Sequence, residues 1–239
     1  MKNIEPSAPL IGVQRHRLTV DGKGVTTLVG FHGCTLHCKY CLNPHCLDPE
    51  GVQRTTTPSE LLSEVALDNL YFQATGGGVT FGGGEPAMHS EFIDAFCHIA
   101  PPEWNITMET ALNVDRAHLE RLLPVVNQFI IDIKDINPKI YRRYTGRDNW
   151  RVIDNLRWLM QHDGMAERVQ VRLPHIPGYN TDEDIQASRK FLAGLGITDF
   201  DEFTYELPVG ERIVDQLIYR TAGIIEPPER FDEDIPPKK

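Results

Sequence analysis

The sequence lacks three features that would each assign it to a broad class of protein. No apolar run in its 239 residues approaches the ~18 residues of a membrane-spanning helix, so we expect no membrane partner. The first residues carry no hydrophobic segment of a secretory signal, which predicts a cytoplasmic protein. Basic residues are in the minority, with 24 Lys and Arg against 34 Asp and Glu and a formal net charge of −10. This balance argues against a protein that binds the phosphate backbone of nucleic acids.

Cysteine is also scarce, but its distribution is uneven. An odd total of five cysteines without a secretory signal disfavours a disulfide framework and favours metal binding or catalysis. Three of the five lie in the stretch GCTLHCKYC, at Cys34, Cys38 and Cys41, with the spacing C-x3-C-x2-C. Three thiolates on one loop suit three irons of a [4Fe–4S] cluster and leave the fourth iron open to a substrate.

The sequence alone allows two other interpretations of these cysteines. A structural zinc site could combine them with His32, His37 or His45. Cys46 could supply a fourth cluster ligand, which would indicate an electron-transfer protein. Cys97 lies on the apolar stripe of a predicted helix, where a core thiol is expected.

The order of apolar segments predicts an α/β fold with a parallel sheet. Strand-like runs occupy residues 26–31, 77–81, 105–110, 128–134, 168–174 and 201–207. Helical patterns occupy residues 57–74, with a cap at Thr57 or Ser59, 89–100, 114–126, 149–162 and 181–196, with a cap at Thr181. Six such units are too few for a closed eight-stranded barrel, so we expect an incomplete, open, TIM-like (β/α)6 barrel with its chemistry at the carboxyl ends of the strands. One domain would span residues 1–239, with a core at about 16–207, a divergent segment 208–239 and a Pro-rich, charged tail that lies extended or disordered.

A second motif follows the second predicted parallel strand. The stretch GGGVTFGGGEPAMH covers residues 76–89 and ends its second glycine run with Gly83, Gly84 and Glu85. Glycine runs allow a backbone to approach a ligand closely, although a tight turn alone would also explain them. The cysteine spacing and this motif together resemble those of the radical S-adenosylmethionine (SAM) enzymes.

The segments around the motifs narrow the resemblance to the glycyl-radical-enzyme activating enzymes, the family of pyruvate formate-lyase activating enzyme. The matching segments are HRLTVDGKGVTTLVGFHGC (16–34), FIIDIKDIN (129–137), YTGRDNWRVIDNLRWL (144–159) and RLPHIPGYNTDED (172–184). The resemblance covers about residues 16–200, in the form that carries a single cluster. After residue 200 the family pattern is lost, and Glu206 stands near a family histidine.

The resemblance implies an oxidoreductase that cleaves SAM reductively at a [4Fe–4S] cluster. The resulting 5′-deoxyadenosyl radical would abstract hydrogen from a glycine of a partner glycyl radical enzyme, and an external flavodoxin or ferredoxin would supply the electron. By the same resemblance Cys34, Cys38 and Cys41 bind the cluster, and Tyr40 lies near the adenine of SAM.

Further positions receive roles from the resemblance. A main-chain edge at Gly83 and Gly84, together with Glu85, would meet the amino group of SAM, and Lys134 would pair with its carboxylate. By the same resemblance, Arg172 would contact the cofactor or substrate, and Asp21 would lie near the glycyl loop. A monovalent cation would be bound by Glu109, Thr110 and Asp132.

Alternatives remain for some of these residues and for the function. Lys134 could be a solvated lysine at a strand end, Arg172 a structural ion pair and Asp21 part of a turn. The altered segment after residue 200 also allows a radical SAM enzyme that modifies a peptide or a small molecule. A non-catalytic iron–sulfur or zinc protein would require a fourth ligand and no binding of SAM.

Overall fold

The computed structural model describes residues 5–18 and 20–205. These residues form one eight-stranded sheet whose strands are ordered β3-β1-β2-β4-β5-β6-β7-β8. The strands are β1 (Ala8–Leu18), β2 (Val25–Phe31), β3 (Arg54–Thr56), β4 (Gly78–Gly83), β5 (Asn105–Thr110), β6 (Gln128–Asp132), β7 (Val169–His175) and β8 (Asp199–Thr204). The helices are α1 (Pro58–Val65), α2 (Asn69–Thr75), α3 (Ser90–Ile99), α4 (Arg116–Leu122), α5 (Pro138–Thr145), α6 (Trp150–Leu159), α7 (Met165–Arg168) and α8 (Asp182–Ala193).

The six predicted strands form the parallel part of the sheet. Strands β2, β4, β5, β6, β7 and β8 each pair in parallel with the next. They are apolar because both faces are covered: Val79, Phe81, Phe129 and Val171 are all fully or almost fully buried. Within the described residues β3 and β8 form the two outer edges of the sheet. The prediction of an open, mostly parallel α/β barrel is therefore confirmed.

Two antiparallel strands, β1 and β3, extend the sheet beside β2 and were not predicted. The second half of β1 reads QRHRL and is largely exposed, so it gives little apolar signal. A buried carboxylate holds this half in place. Asp68 is fully buried and accepts hydrogen bonds from Nε of Arg15 at 2.9 Å and from Oγ1 of Thr27 at 2.6 Å. Nε2 of His16 lies 2.9 Å from the same carboxylate.

The predicted helix over residues 57–74 is divided in two. A 3-10 turn at Ala66–Asp68 separates α1 from α2, and this turn places Asp68 against β1 and β2. The start of the helix agrees with the sequence, because Thr57 and Glu60 form a reciprocal capping box. Thr181 and Asp184 form a second capping box at the predicted start of α8.

Helices α5 and α7 were also not predicted. Helix α5 has a strongly polar sequence, PKIYRRYT, but it buries Tyr141 and Tyr144 on one side. Asn137 caps its first turn, because the Asn137 side chain accepts a hydrogen bond from the backbone of Lys139 at 3.0 Å. Its last turn contacts the cysteine-containing loop, so this helix contributes directly to the candidate site.

Some predictions concern residues that the structure does not describe. The extended tail, the divergent segment 208–239 and the position of Glu206 lie outside the described residues. The division into a single domain over residues 1–239 stays a prediction. Along the described part of the chain, no helix has both the length and the apolar character needed to cross a bilayer.

Candidate active site at the carboxyl ends of the strands

The cysteine loop follows β2 directly and is held by main-chain hydrogen bonds. The backbone N–H of His37 donates to the carbonyl of Thr145 at 2.9 Å, and that of Lys39 donates to Tyr144 at 3.1 Å. Both acceptors lie in the last turn of α5, whose final carbonyls have no partner within the helix. The loop therefore crosses the carboxyl end of the sheet, which is the edge expected to carry the chemistry.

The cysteine loop and the glycine motif interlock. Main-chain N–H groups of the glycine motif donate to the cysteine segment, from Gly84 to the carbonyl of Phe31 at 2.9 Å and from Glu85 to that of Gly33 at 2.8 Å. In return the Asn43 side chain donates to the carbonyl of Gly83 at 3.1 Å. A Cβ on Gly84 would lie 2.1 Å from the Gly33 carbonyl oxygen, so only glycine allows this close approach.

Cys34, Cys38 and Cys41 are partly buried, and the charge of Lys134 lowers the pKa of all three thiols. A hydrogen bond with Cys46 is the largest cause that lowers the pKa of Cys34, and a similar bond lowers the pKa of Cys41 to about 7. Burial raises the pKa of Cys38 to about 12. The sulfurs thus lie within electrostatic reach of one another and of one buried ammonium group.

Lys134 is almost fully buried just beyond the end of β6. Its Nζ lies 3.3 Å from Oδ2 of Asp132 and 3.2 Å from the hydroxyl of Tyr205. Burial lowers the pKa of the ammonium group, but Asp132 and the neighbouring Tyr205, Cys38 and Tyr144 together outweigh burial, so the pKa of Lys134 lies well above its ordinary value. A buried, permanently charged lysine beside three thiols is suited to bind an anionic group.

Glu85 is 1% exposed, and its carboxylate binds protein groups. It accepts hydrogen bonds from Oγ1 of Thr110 at 2.7 Å, from the backbone of Ala111 at 3.0 Å and from the backbone of Ala87 at 3.2 Å. Burial is the main cause that raises the pKa of Glu85 to about 7, and these hydrogen bonds oppose it. The side chain ties the glycine motif to the end of β5, which leaves the main chain of residues 83–85 as the surface that a ligand could contact.

Tyr40 lies in a cluster of four tyrosines. Its ring is packed edge-on against Tyr144, Tyr179 and Tyr205, with centroid separations of 5.9, 5.6 and 6.4 Å. Its hydroxyl donates to the carbonyl of Pro177 at 3.3 Å. These rings come from the cysteine loop, from α5, from the loop after β7 and from the end of β8, and they form an aromatic cluster beside Lys134.

Arg172 of β7 lies beside Asp132 of β6, within an ion-pair network. Its Nη1 lies 2.8 Å from Oε1 of Glu109, and its Nη2 donates to the carbonyl of Val20 at 2.7 Å. The carboxylates of Asp21 and Asp201 lie 3.9 and 3.6 Å from the guanidinium group. The pairing anticipated as the alternative for Arg172 is thus present, and Arg172 also joins the segment that contains Asp21 to β7.

The three residues assigned to a monovalent cation have other partners. Thr110 contacts Glu85, Glu109 contacts Arg172, and Asp132 contacts Lys134. Burial raises the pKa of Glu109 to about 7, although Arg172 opposes this effect. The cation therefore stays a prediction, without support from the arrangement of these side chains.

Cys34, Cys38 and Cys41 place three thiols on one loop. Across residues 5–18 and 20–205, no three His, Cys, Asp or Glu side chains are arranged to hold a single metal ion. His32, one of the possible zinc ligands, is within hydrogen-bond distance of the carbonyl of Asp48 through Nε2 at 2.7 Å. A set of thiols on one loop beside a cationic lysine fits an iron–sulfur cluster, whose irons take one thiolate each.

Comparison with known proteins gives the family. Residues 28–192, well over half of the chain, match the family model of the Radical SAM superfamily. The chain belongs to the radical SAM superfamily. Radical SAM enzymes use a [4Fe–4S] cluster and SAM, and the matched residues include the cysteine loop, the glycine motif and Lys134.

Two curated radical SAM relatives and one solved structure describe the similarity further. The indoleacetate decarboxylase activating enzyme of Tractidigestivibacter scatoligenes is 26% identical over 290 residues, which cover 87% of this chain and 91% of that protein. The pyruvate formate-lyase-activating enzyme of Staphylococcus aureus is 32% identical over 173 residues, which cover 70% of this chain and 68% of that protein. The solved structure is SuiB of Streptococcus suis bound to the precursor peptide SuiA, which superposes with a TM-score of 0.57 at 15% sequence identity. The superposition covers 72% of this chain and 37% of SuiB, and it shows a common fold.

The structure also adds residues to the candidate site that the sequence did not indicate. Tyr144, Tyr179 and Tyr205 surround Tyr40, and Asn43 joins the two motifs. Asn43 follows the last cysteine of the motif by two residues, and that proximity was the one available signal. The tyrosines come from separate elements, and nothing in their local sequence distinguishes them from core residues.

Proposed function

We propose that this chain is an activating enzyme that takes a hydrogen atom from a glycine residue of a glycyl radical enzyme. The observation that carries the proposal is the extent of similarity to two named activating enzymes, which covers 91% and 68% of their lengths. Similarity over such lengths goes well beyond the cysteine motif that all radical SAM enzymes have in common.

The geometry supports a particular placement of the two cofactors. We assign Cys34, Cys38 and Cys41 as ligands of three irons and Lys134 as the partner of the SAM carboxylate. The main chain of residues 83–85 would meet the SAM amino group. When bound, this pair of cofactors supplies reductive cleavage of SAM and with it the radical that abstracts hydrogen.

The chain's own residues would position the cofactor and exclude water. Tyr40, Tyr144 and Tyr205 would form an apolar wall against the adenosyl group. Glu85 keeps the glycine motif fixed through hydrogen bonds to the start of the loop after β5, so that its main chain is preorganised. Arg172, held by Glu109, would keep the segment around Asp21 at the inner wall of the barrel, where we place the approach of the glycyl loop.

A protein substrate is compatible with the shape of the sheet. Its outer strands β3 and β8 each pair with one neighbour within the described residues, so an extended peptide has a lateral route to the carboxyl ends of the strands. A flavodoxin or ferredoxin is the proposed electron donor, since a single cluster requires an outside reductant. The reducing cytoplasm is the proposed location, because an exposed three-cysteine cluster is sensitive to oxygen.

The first experiment measures 5′-deoxyadenosine. The protein is reconstituted anaerobically with iron and sulfide, then incubated with SAM and dithionite, with Cys38→Ala and Cys97→Ala in parallel. Cys97 is a partly buried thiol of α3 outside the site, so its variant should match the wild type. We expect product from the wild type and Cys97→Ala, and none from Cys38→Ala.

A second stage identifies the hydrogen donor. A candidate glycyl radical enzyme is added, and the reaction is followed by electron paramagnetic resonance (EPR) for the doublet of a glycyl radical. The same enzyme with its radical glycine replaced by alanine serves as the control. Cleavage of SAM without a radical on any glycyl radical enzyme encoded by the same genome would contradict the proposal, and modification of a short peptide or small molecule would replace it.

A further inference from the structure

The segment around α5 carries a charge opposite to that of the whole chain. The sequence has a formal net charge of −10, yet residues 137–151, which read NPKIYRRYTGRDNWR, contain one acidic residue, Asp148. The same segment contains five basic residues, which are Lys139, Arg142, Arg143, Arg147 and Arg151. A local excess of positive charge attracts acidic molecules and speeds their association. This segment is therefore suited to bind an acidic partner on a chain that would otherwise repel one.

Four exposed basic side chains lie where the cysteine loop meets α5. They are Lys39, Arg142, Arg143 and Arg147, and we call them the basic surface. The N–H of Lys39 donates to the carbonyl of Tyr144 at 3.1 Å, and Nε of Arg147 donates to the carbonyl of Thr35 at 3.3 Å. Thr35 directly follows Cys34, and Lys39 directly follows Cys38. The basic surface therefore adjoins two of the proposed cluster ligands.

Two guanidinium groups of the basic surface keep their charge available. Nη2 of Arg143 donates to the main-chain carbonyls of Gly178 and Tyr179 at 2.9 and 2.8 Å, and Arg147 likewise binds a carbonyl. Among residues 5–18 and 20–205, no carboxylate forms an ion pair with either group, whereas Arg142 is paired with Asp148 at 2.8 Å. Neutral carbonyls hold the two side chains in place without neutralising them. Carboxylates of a partner would therefore meet preorganised, charged donors.

Two exposed apolar side chains lie close to the basic surface in the chain. Leu42 follows Cys41 and is 65% exposed, and Trp150, three residues after Arg147, is 64% exposed. Protein interfaces combine apolar contacts with a polar rim, and Trp and Arg are the residues that most often dominate their affinity. This combination favours a protein partner over a small anion.

We propose that the basic surface is the docking site of an acidic one-electron carrier protein that reduces the cluster. The inference rests on the proposed function in one respect, the assignment of Cys34, Cys38 and Cys41 as cluster ligands. After docking, one electron passes from the reduced carrier to the oxidised cluster, so the carrier is oxidised by one electron, the cluster is reduced by one, and no covalent bond forms or breaks. The glycyl loop is assigned elsewhere, to the segment around Asp21, so the two proteins would use different surfaces.

The test measures the binding of a purified acidic flavodoxin, and separately of an acidic ferredoxin, to the anaerobically reconstituted protein without SAM. The variants are Lys39→Glu, Arg143→Glu and their combination, and Lys190→Glu on an exposed position of α8 is the control. At about 0.1 M salt the double variant should raise the dissociation constant of the carrier about tenfold, and the control should match the wild type. The difference should nearly vanish at about 1 M salt, where the Debye length falls to about 3 Å.

Dithionite separates docking from the later chemistry, because a small reductant at saturation needs no docking surface. With dithionite the variants should form 5′-deoxyadenosine at the rate of the wild type. With the reduced carrier, kept below its dissociation constant, the double variant should be about tenfold slower. If a Glu variant holds no cluster, Lys39→Met and Arg143→Gln decide, since they remove the charges without reversing them: weaker binding supports the inference, and unchanged binding overturns it.

Three other outcomes would overturn the inference. The first is a wild type that binds neither carrier at about 0.1 M salt. The second is a dissociation constant of the double variant equal to that of the wild type, or raised equally at both salt concentrations. The third is normal binding of the carrier with loss of glycyl radical formation under dithionite, which would assign the basic surface to the glycyl radical enzyme. A wild type that binds the carrier through this surface but activates no glycyl radical enzyme would refute the proposed function and support the docking site.

Discussion

Replacement of Lys134 by methionine tests the proposed contact with SAM. The substitution removes the ammonium group but keeps a long, unbranched side chain in an almost fully buried position. A hydrogen bond to a charged group is worth about 1.5–3 kcal/mol, which corresponds to roughly 10- to 150-fold in affinity. Lys134 is already paired with Asp132 at 3.3 Å, so part of that gain is offset when SAM binds. We therefore expect the dissociation constant of SAM to rise by about 10- to 30-fold, at the lower end of this range.

The assay is equilibrium binding of SAM to anaerobically reconstituted protein, with iron content matched between variants. Lys139→Met is the control, since Lys139 is an exposed lysine on α5. Lys134→Arg should restore little of the affinity, because a planar guanidinium group does not reproduce a compact ammonium beside Tyr205. A dissociation constant within twofold of the wild type, in Lys134→Met with an intact cluster, would refute this reasoning and leave Lys134 as a strand-end lysine.

Three further predictions concern the scaffold of the site. Gly84→Ala should lower the free energy of unfolding in urea by about 2 kcal/mol or more, because its Cβ would lie 2.1 Å from a carbonyl oxygen. Gly12→Ala is the control: the nearest atom to its Cβ would be 3.8 Å away, so this variant should unfold like the wild type. Asp68→Ala should cost about 2 kcal/mol, since the buried hydroxyl of Thr27 loses its acceptor, and an unchanged urea midpoint would contradict this. The pKa of Glu85 is raised to about 7, so the folded state retains the proton that the unfolded chain releases, and this group makes stability fall as pH rises from about 4.5 to about 7. Glu85→Gln should flatten that slope in cluster-free protein, and an identical slope in both proteins would show that Glu85 does not cause it.

The interlocked motifs illustrate what could be predicted from sequence. The cysteine spacing and the glycine run are each contiguous, and each follows a parallel strand. Parallel strands bring their carboxyl ends to one edge, so the convergence of the two motifs followed from their order alone. The hydrogen bonds that join them, such as that from Asn43 to Gly83, were not predictable, because they depend on the path of each loop.

Strand β1 and helix α5 illustrate what was missed. Each has a polar sequence over much of its length and gains its stability from distant partners, Asp68 for β1 and the cysteine loop for α5. The local pattern of apolar residues indicates which face of an element is buried. It gives no signal for an element that is held by a few long-range polar contacts. An ion pair of Arg172 was anticipated from the sequence, but its partner Glu109 was not, because the two residues are 63 positions apart.

The sequence by itself determined the class of fold, the family resemblance and the residues that can carry cluster chemistry. These properties depend on residue types and spacings within short segments, where local periodicity and covalent connection fix the outcome. Only the tertiary structure decided which group each side chain contacts. It turned Glu85 towards Thr110, placed Lys134 between Asp132 and Tyr205, and joined Arg172 to Glu109. Such contacts depend on how separate elements pack together, so the spacing of residues along the chain does not fix them.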